Sequence, residues 1–417
     1  MQSLLFATGE GTFLTGSAVF FTQIVGLKAT QVGLGLTVAG VVSFLVAYPM
    51  GRLADAIGPK RMWALGAFVQ ALMFVAWPFI DGFVGYLAMV VVVEIVQNAG
   101  GAGRGAYILD VMPEKERVET QAYLYSSLNV GFTLGAILGG VALALDNNEL
   151  IRWLPLFTMA IGLVNAIRIH GLPDAPHDLA RARRRAGEAE APAKAARRGP
   201  GPLRNPGWMF VSLFGGTMWT NQVLLNVVIP LWLVQETDSP HWLLAWLFGT
   251  NTVLCIVLPA YTSKGVHTIG DALRRIRWSG AFFVVSCLIT MVTHSTVGAV
   301  TVILVWLGHV TVTGAELALT SASWTFQAKL MDPHRRGEYG GVAEVFSTIG
   351  GRWAPALYTF LAMGWRPPGP SGLGWLVIAA IAVVASLGMH PAAYAAERFL
   401  ERHGLAEGDG PAVAEPA

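Results

Sequence analysis

The sequence predicts an all-α integral membrane fold, with twelve transmembrane helices arranged as two pseudo-symmetric bundles of six. Composition, the spacing of apolar stretches and the placement of positive charge carry this reading. Of 417 residues, 54% are hydrophobic and only 13% are charged, and the mean hydropathy is +0.53. Ordinary soluble domains carry about 25% charged residues. So few charges leave most of a soluble surface bare, and a bilayer supplies the missing apolar solvent. The net charge of +2 says little, because the positive charges are unevenly placed.

A membrane helix needs roughly 20 mainly apolar residues. Stretches that meet this lie near 3–26, 31–54, 61–80, 83–109, 120–145 and 151–171, and again near 208–235, 242–263, 275–293, 296–327, 338–363 and 372–390. The first lacks a basic leader and a small-residue cleavage site, so it reads as a retained span. The expected organisation is a first six-helix bundle over 1–172, a basic linker over 173–206, a second bundle over 207–392 and a tail over 393–417. The linker is rich in Ala, Pro, Gly and Arg, including Arg181, Arg183, Arg184, Arg185, Arg197 and Arg198. Such a segment cannot bury a core.

Positive charge tests the topology independently. With the N-terminus placed in the cytoplasm, the inside loops, linker and tail hold 23 of the 28 Lys and Arg. Only Lys28, Arg152 and Arg366 fall outside, while Arg104 and Arg352 lie within spans. This bias predicts a plasma-membrane protein with both termini cytoplasmic. The halves also echo each other. Pro49 and Pro259 stand 210 residues apart before corresponding loops, and Gly131 and Gly351 stand 220 apart. Internal repeats of this kind mark transporters that work about a midplane site.

The loop after the second span reads Gly51-Arg52-Leu53-Ala54-Asp55-Ala56-Ile57-Gly58-Pro59-Lys60-Arg61. Gly51 permits close helix approach, Gly58 permits a tight turn, and Lys60 and Arg61 hold the loop in the cytoplasm. The loop resembles the signature between the second and third helices of the major facilitator superfamily, matched at Gly51, Asp55, Gly58, Lys60 and Arg61, with Ala56 in place of a basic residue. The resemblance implies that Asp55 belongs to a cytoplasmic latch, facing the start of the eleventh helix near Gly340, where a helix N-terminus favours an anion. The fifth span carries Gly131, Gly135, Gly139 and Gly140. This spacing lets a neighbouring backbone approach closely, and it is similar to the fifth-helix motif of proton-coupled antiporters, with Ala136 where that motif has Pro. The chain thus resembles bacterial twelve-helix proton-coupled efflux permeases.

Charges inside the spans are the other signal. A charged side chain at mid-bilayer costs about 2.5–3.5 kcal/mol on insertion scales, so each needs a partner, a wet cavity or a function. Glu10, Glu94 and Glu316 fall in the first, fourth and tenth spans, which line the cavity in the family resembled. Glu10 or Glu94 is therefore expected as the coupling acid, Arg104 as the group that modulates it, and Glu316 as a further candidate. Glu344 and Arg352 in the eleventh span read as structural charges near the cytoplasmic side. In the seventh span Trp219, Thr220, Asn221, Gln222 and Asn226 form a polar group in register with Glu10, and Trp324 lies in the tenth. These are the substrate-cavity candidates, and Trp219 is placed to stack on an aromatic or cationic substrate.

Enzymatic readings find no support in the sequence. It has no phosphate loop, no paired histidines at metal-ligand spacing and no nucleophile elbow. Cys255 and Cys287 sit in apolar stretches and suggest neither a disulfide framework nor a metal site. The expectation is a monomeric secondary transporter with a small-molecule substrate, no cofactor, no nucleic-acid partner and a proton gradient as driving force. It would work by alternating access and export a hydrophobic or drug-like compound. Uptake of a small nutrient, and a non-transporting sensor on the same fold, remain open.

Overall fold

The computed structural model describes residues 2–113, 116–145, 147–175, 199–365 and 372–405. Among them are helices and turns but no strands. The spans are α1 (Gln2–Val19), α2 (Ala29–Ile57), α3 (Pro59–Met73), α4 (Gly82–Val111), α5 (Arg117–Ala144) and α6 (Asn148–His170). The second series is α7 (Pro206–Glu236), α8 (Leu243–Val257), α9 (Ile269–Val292), α10 (Ala299–Leu330), α11 (Arg336–Thr359) and α12 (Leu373–Arg402). Nine of the described helices are long and apolar enough to cross a membrane, and α8 is a shorter apolar helix. Polar side chains such as Glu10 in α1 and Glu338, Glu344 and Arg352 in α11 dilute the remaining two. Twelve spans follow, and the chain is a multi-pass membrane protein. Large apolar side chains such as Leu14, Val84 and Ile167 are exposed on the outside of the bundles. In water that surface would aggregate; in lipid it is solvated.

Most expected element boundaries hold to within a few residues; α3 and α8 end seven and six residues early, α9 starts six early, and α12 shows the largest extension. Helix α12 continues to Arg402, ten residues into the segment expected as a tail. Ala393, Ala396, Phe399 and Leu400 are buried along that extension, which explains why it stays helical. Arg204 closes a short turn before α7, while most of the basic linker lies outside the described residues. Helix ends follow ordinary capping chemistry. Asn147 accepts from the backbone of Glu149 and Leu150, Asn205 accepts from Trp208 N at 3.0 Å, and Thr268 and Asp271 form a reciprocal capping box. Gly58, at φ +115, makes the abrupt turn between α2 and α3 that a side chain would resist.

The internal repeat is real in three dimensions. In the first half α1 packs on α5 and α6, α2 on α4, and α3 on α4 and α6. Each pairing recurs six helices later: α7 on α11 and α12, α8 on α10, and α9 on α10 and α12. The contacts between halves obey the same exchange, with α2–α11 matched by α5–α8 and α4–α11 by α5–α10. Helices α1 and α7 both loosen into a π turn, at Phe20–Ile24 and Leu224–Val228. One apolar core fills the outer part of the first half around Phe20, Phe21, Trp77 and Tyr86, and its counterpart in the second half gathers around Leu225, Trp232, Phe283 and Trp375.

The glycine-rich fifth helix owes its place to small size. A Cβ at Gly131 would meet Ala7, at Gly135 the Thr12 N at 2.7 Å, and at Gly139 the Thr12 O at 2.6 Å. Three of the four expected glycines therefore let α1 and α5 touch backbone to backbone. Gly140 faces open space, so it belongs to a different face from the stripe.

Candidate functional site

A cavity of about 660 Å³ lies between the halves, walled by α2, α4, α7, α10 and α11, with Met389 of α12. Its apolar surface comes from Trp208, Trp219, Phe326, Met331 and Met389, and small residues such as Gly101, Gly105, Gly216 and Gly341 leave the room. Two carboxylates enter it from opposite halves, Glu94 from α4 and Glu344 from α11, near enough to interact electrostatically. The Glu94 carboxylate is held on its own helix. Asn98 Nδ2 donates to Glu94 Oε1 at 3.0 Å and to Ser43 Oγ of α2 at 3.0 Å.

The expected site residues divide accordingly. Glu94 and Trp219 line the cavity. Glu344, expected as a structural charge, does too: no hydrogen bond or ion pair to Arg352 is found among the described residues, and it projects into the space between halves. Arg352 reaches the other way, donating to Leu36 O of α2 at 3.4 Å across the glycine gap at Gly40. It stands 16 residues into α11, about 24 Å along a helix rising 1.5 Å per residue. That depth is far from the cytoplasmic side of the span, near which it was expected. Glu10 does not line the central cavity. It faces α3 and α6 within the first half, where Gln70 Nε2 donates to it at 2.8 Å. Arg104 donates to Ser3 Oγ at 3.3 Å, tying α4 to the start of α1, and none of its described hydrogen bonds reaches Glu10 or Glu94.

Glu316 is buried between the halves rather than in the cavity. Tyr125 of α5 donates to it at 2.6 Å and Asn251 of α8 at 3.2 Å. Trp324 packs edge-on against Tyr125, with ring centroids 5.9 Å apart. In α7, Thr220 shares a 2.8 Å hydrogen bond with Tyr358 of α11, and Asn221 is fully buried. Asn226 donates to Gln222 O at 2.9 Å and faces outward. The helix breaks at Trp219 and Thr220 and resumes with a π turn. That change of phase rotates these polar residues away from the face an uninterrupted helix would present. Ser43, Gln97, Asn98, Ser212 and Ser347 line the cavity and escaped the sequence reading. Small polar residues in apolar spans are common, and only the i, i+4 pair Glu94–Asn98 carried a usable hint.

The contact expected of the latch is present, at neighbouring residues. Asp55, 5% exposed, accepts from Gly337 N at 2.9 Å and Glu338 N at 3.0 Å. These are among the first free amides of α11, which begins at Arg336. The contact therefore falls three residues before Gly340, the position expected, and Gly340 instead lines the cavity. Around it Tyr48 donates to Glu338 at 3.1 Å, Arg335 to Glu338 at 2.6 Å, and Arg336 stands 3.7 Å from Asp110. Gly51 and Gly337 allow this, since a Cβ on either would collide with the other's carbonyl. Lys60 donates to Asp174 at 2.8 Å just after α6, and Arg61 is exposed. The halves are closed together at this end, which also carries Ser3 and the end of α12.

A sequence model of the Major Facilitator Superfamily matches residues 2–355. An uncharacterized MFS-type transporter of Methanocaldococcus jannaschii is 22% identical over 129 residues, covering 31% of this chain and 33% of that protein. Among solved structures, a bacterial homologue of the iron transporter ferroportin in an outward-facing state superposes with a TM-score of 0.67 at 13% identity, over 96% of this chain and 98% of that one. The proton:xylose symporter XylE gives 0.68 at 11% identity, over 94% and 93%. FucP in its outward conformation gives 0.68 at 15% identity, over 94% and 97%.

Proposed function

This chain belongs to the Major Facilitator Superfamily, and from that premise we propose that it is a secondary transporter that exports amphiphilic cations in exchange for protons. The observation that carries this reading is the pair Glu94 and Glu344, one from each half, in a cavity whose other walls are apolar, aromatic and neutral polar side chains, with Arg336 at the gate end. A cation held between two carboxylates binds both halves at once. Aromatic rings contribute through their negative faces, and Trp219 is placed to do so. Protons compete for the same oxygens, so loading one displaces the other; exchange then needs no second site.

The closed end is the cytoplasmic gate in this reading. In this reading protons load Glu94 and Glu344 from the outside while Asp55 is seated on α11, in a cavity lined as far as Arg336 and Gly337 at the gate end. Release of Asp55 opens the gate end, protons leave, and a cation enters from the cytoplasm.

Purified protein in liposomes, with an imposed proton gradient and tetraphenylphosphonium as the probe, tests this directly. The wild type should move the probe against its gradient, and Glu94→Gln and Glu344→Gln should each abolish the dependence on the proton gradient. Unchanged proton dependence in both variants would remove the assignment. Net accumulation of the probe in intact cells expressing the protein would reverse the direction and favour uptake.

A further inference from the structure

Glu10 is an intramembrane acid that the central cavity leaves unused. It lies eight residues past Gln2, about 12 Å along α1, in a second cavity enclosed by α1, α3 and α6. That space is about 20 Å³, enough for one water molecule or one small bare cation. Gln70 of α3 donates to Glu10 Oε1 at 2.8 Å and fixes the carboxylate. Thr158 of α6 donates its proton to Gly9 O at 3.1 Å, which leaves its own oxygen as an acceptor. Asn165 of α6, 2% exposed, lines the same space, and its Oδ1 is buried without a donor.

The cavity thus gathers a carboxylate and two neutral oxygens, and among the described hydrogen bonds the one they accept comes from Gln70. A buried acceptor left unmet costs about 1–3 kcal/mol, and the carboxylate in the membrane costs more. One positively charged particle meets both demands. Oxygen donors alone suit a hard cation. A single negative charge matches a monovalent ion, whereas a divalent one would leave net charge in a low-dielectric interior. Among the described residues no cluster of three or more His, Cys, Asp or Glu offers a higher-charge site.

We propose that Glu10, Thr158 and Asn165, with Gln70 as the positioning residue, bind a sodium-sized monovalent cation inside the first bundle, separate from the central cavity. The ion would join α1 to α6 while Gln70 joins α1 to α3, on the side of α1 away from the α5 glycine stripe. Its occupancy would set how rigidly α1 is held during transport.

The test is thermal unfolding of purified protein in sodium chloride against choline chloride, at fixed ionic strength and pH, alongside direct binding of radioactive sodium. Sodium should raise the melting temperature saturably, with one ion bound per chain. Glu10→Gln should abolish both effects, and Asn165→Leu should raise the half-saturating sodium concentration roughly tenfold or more. Glu94→Gln, which alters the other cavity, should keep the sodium response. Should Glu10→Gln not fold, Asn165→Leu and wild-type sodium binding decide the matter. Equal melting in sodium and choline with no bound sodium would overturn the proposal. So would a sodium response that survives Glu10→Gln, or stabilisation by acid alone, which would place a proton there instead.

Discussion

Replacing Asp55 by Asn removes the charge from the gate while keeping its shape. Asp55 accepts two backbone hydrogen bonds, at 2.9 and 3.0 Å, from the first turn of α11. Hydrogen bonds to a charged group are worth about 1.5–3 kcal/mol each, and an anion at a helix N-terminus adds about 0.3–1 kcal/mol. Asn can accept from one amide, but its own NH₂ then faces the other. The closed gate should therefore lose about 3 kcal/mol, and at about 1.4 kcal/mol per tenfold the closed-to-open ratio falls about a hundredfold. Spin labels on Arg61→Cys of α3 and Leu203→Cys in the turn that leads into α7, both exposed, report the gap by double electron–electron resonance. The native Cys255 and Cys287 are buried and stay unlabelled. The wild type should give one short distance, and Asp55→Asn a substantial longer one. Identical distributions would refute the latch and return the loop to a solvated turn.

Other perturbations follow from the same geometry. Tyr125→Phe removes the 2.6 Å bond from α5 to Glu316 of α10 and should shift the same label distance toward the open form, by about tenfold; no shift would make the contact incidental. Gly135→Val forces a side chain into the α1 backbone, 2.7 Å from Thr12 N, and should destabilise the protein by about 1–3 kcal/mol, read as a lower melting temperature in detergent. Gly140→Val, on a face with open space, should leave melting unchanged. The Lys60 ammonium holds the Asp174 carboxyl below its usual range. A depressed carboxyl contributes stability above its unfolded value of about 3.9 and loses it as pH falls through the folded value. Melting of Asp174→Asn should therefore follow the wild-type pH profile between about pH 5 and 8, and divergence in that window would contradict the assignment.

Which parts of this architecture were legible beforehand follows from how each is encoded. Apolar length and charge placement are properties of whole spans, so the twelve helices and the repeat could be read without knowing any contact. The latch was legible because Gly51, Asp55 and Gly58 sit within one loop, and only its exact partner moved, from Gly340 to Gly337 and Glu338. The cavity was less legible. Which face of a helix points inward depends on its phase, and the break at Trp219 and Thr220 reset that phase for Asn221, Gln222 and Asn226. Glu10 and Glu94 look alike in sequence, yet one faces α3 and α6 and the other faces the opposite half. Glu344 and Arg352 both read as structural because they lie in the eleventh span near the cytoplasmic side, but the two point to different neighbours.

The most direct test of two halves moving about a central site is to lock the gate. Arg52 and Glu338 approach to 4.0 Å across it from opposite halves, so a short bifunctional thiol reagent can bridge Arg52→Cys and Glu338→Cys. Tetraphenylphosphonium transport by this variant in liposomes should stop on cross-linking and return on cleavage of the bridge. Transport that continues at full rate with the gate covalently shut would show that the substrate does not pass between the halves.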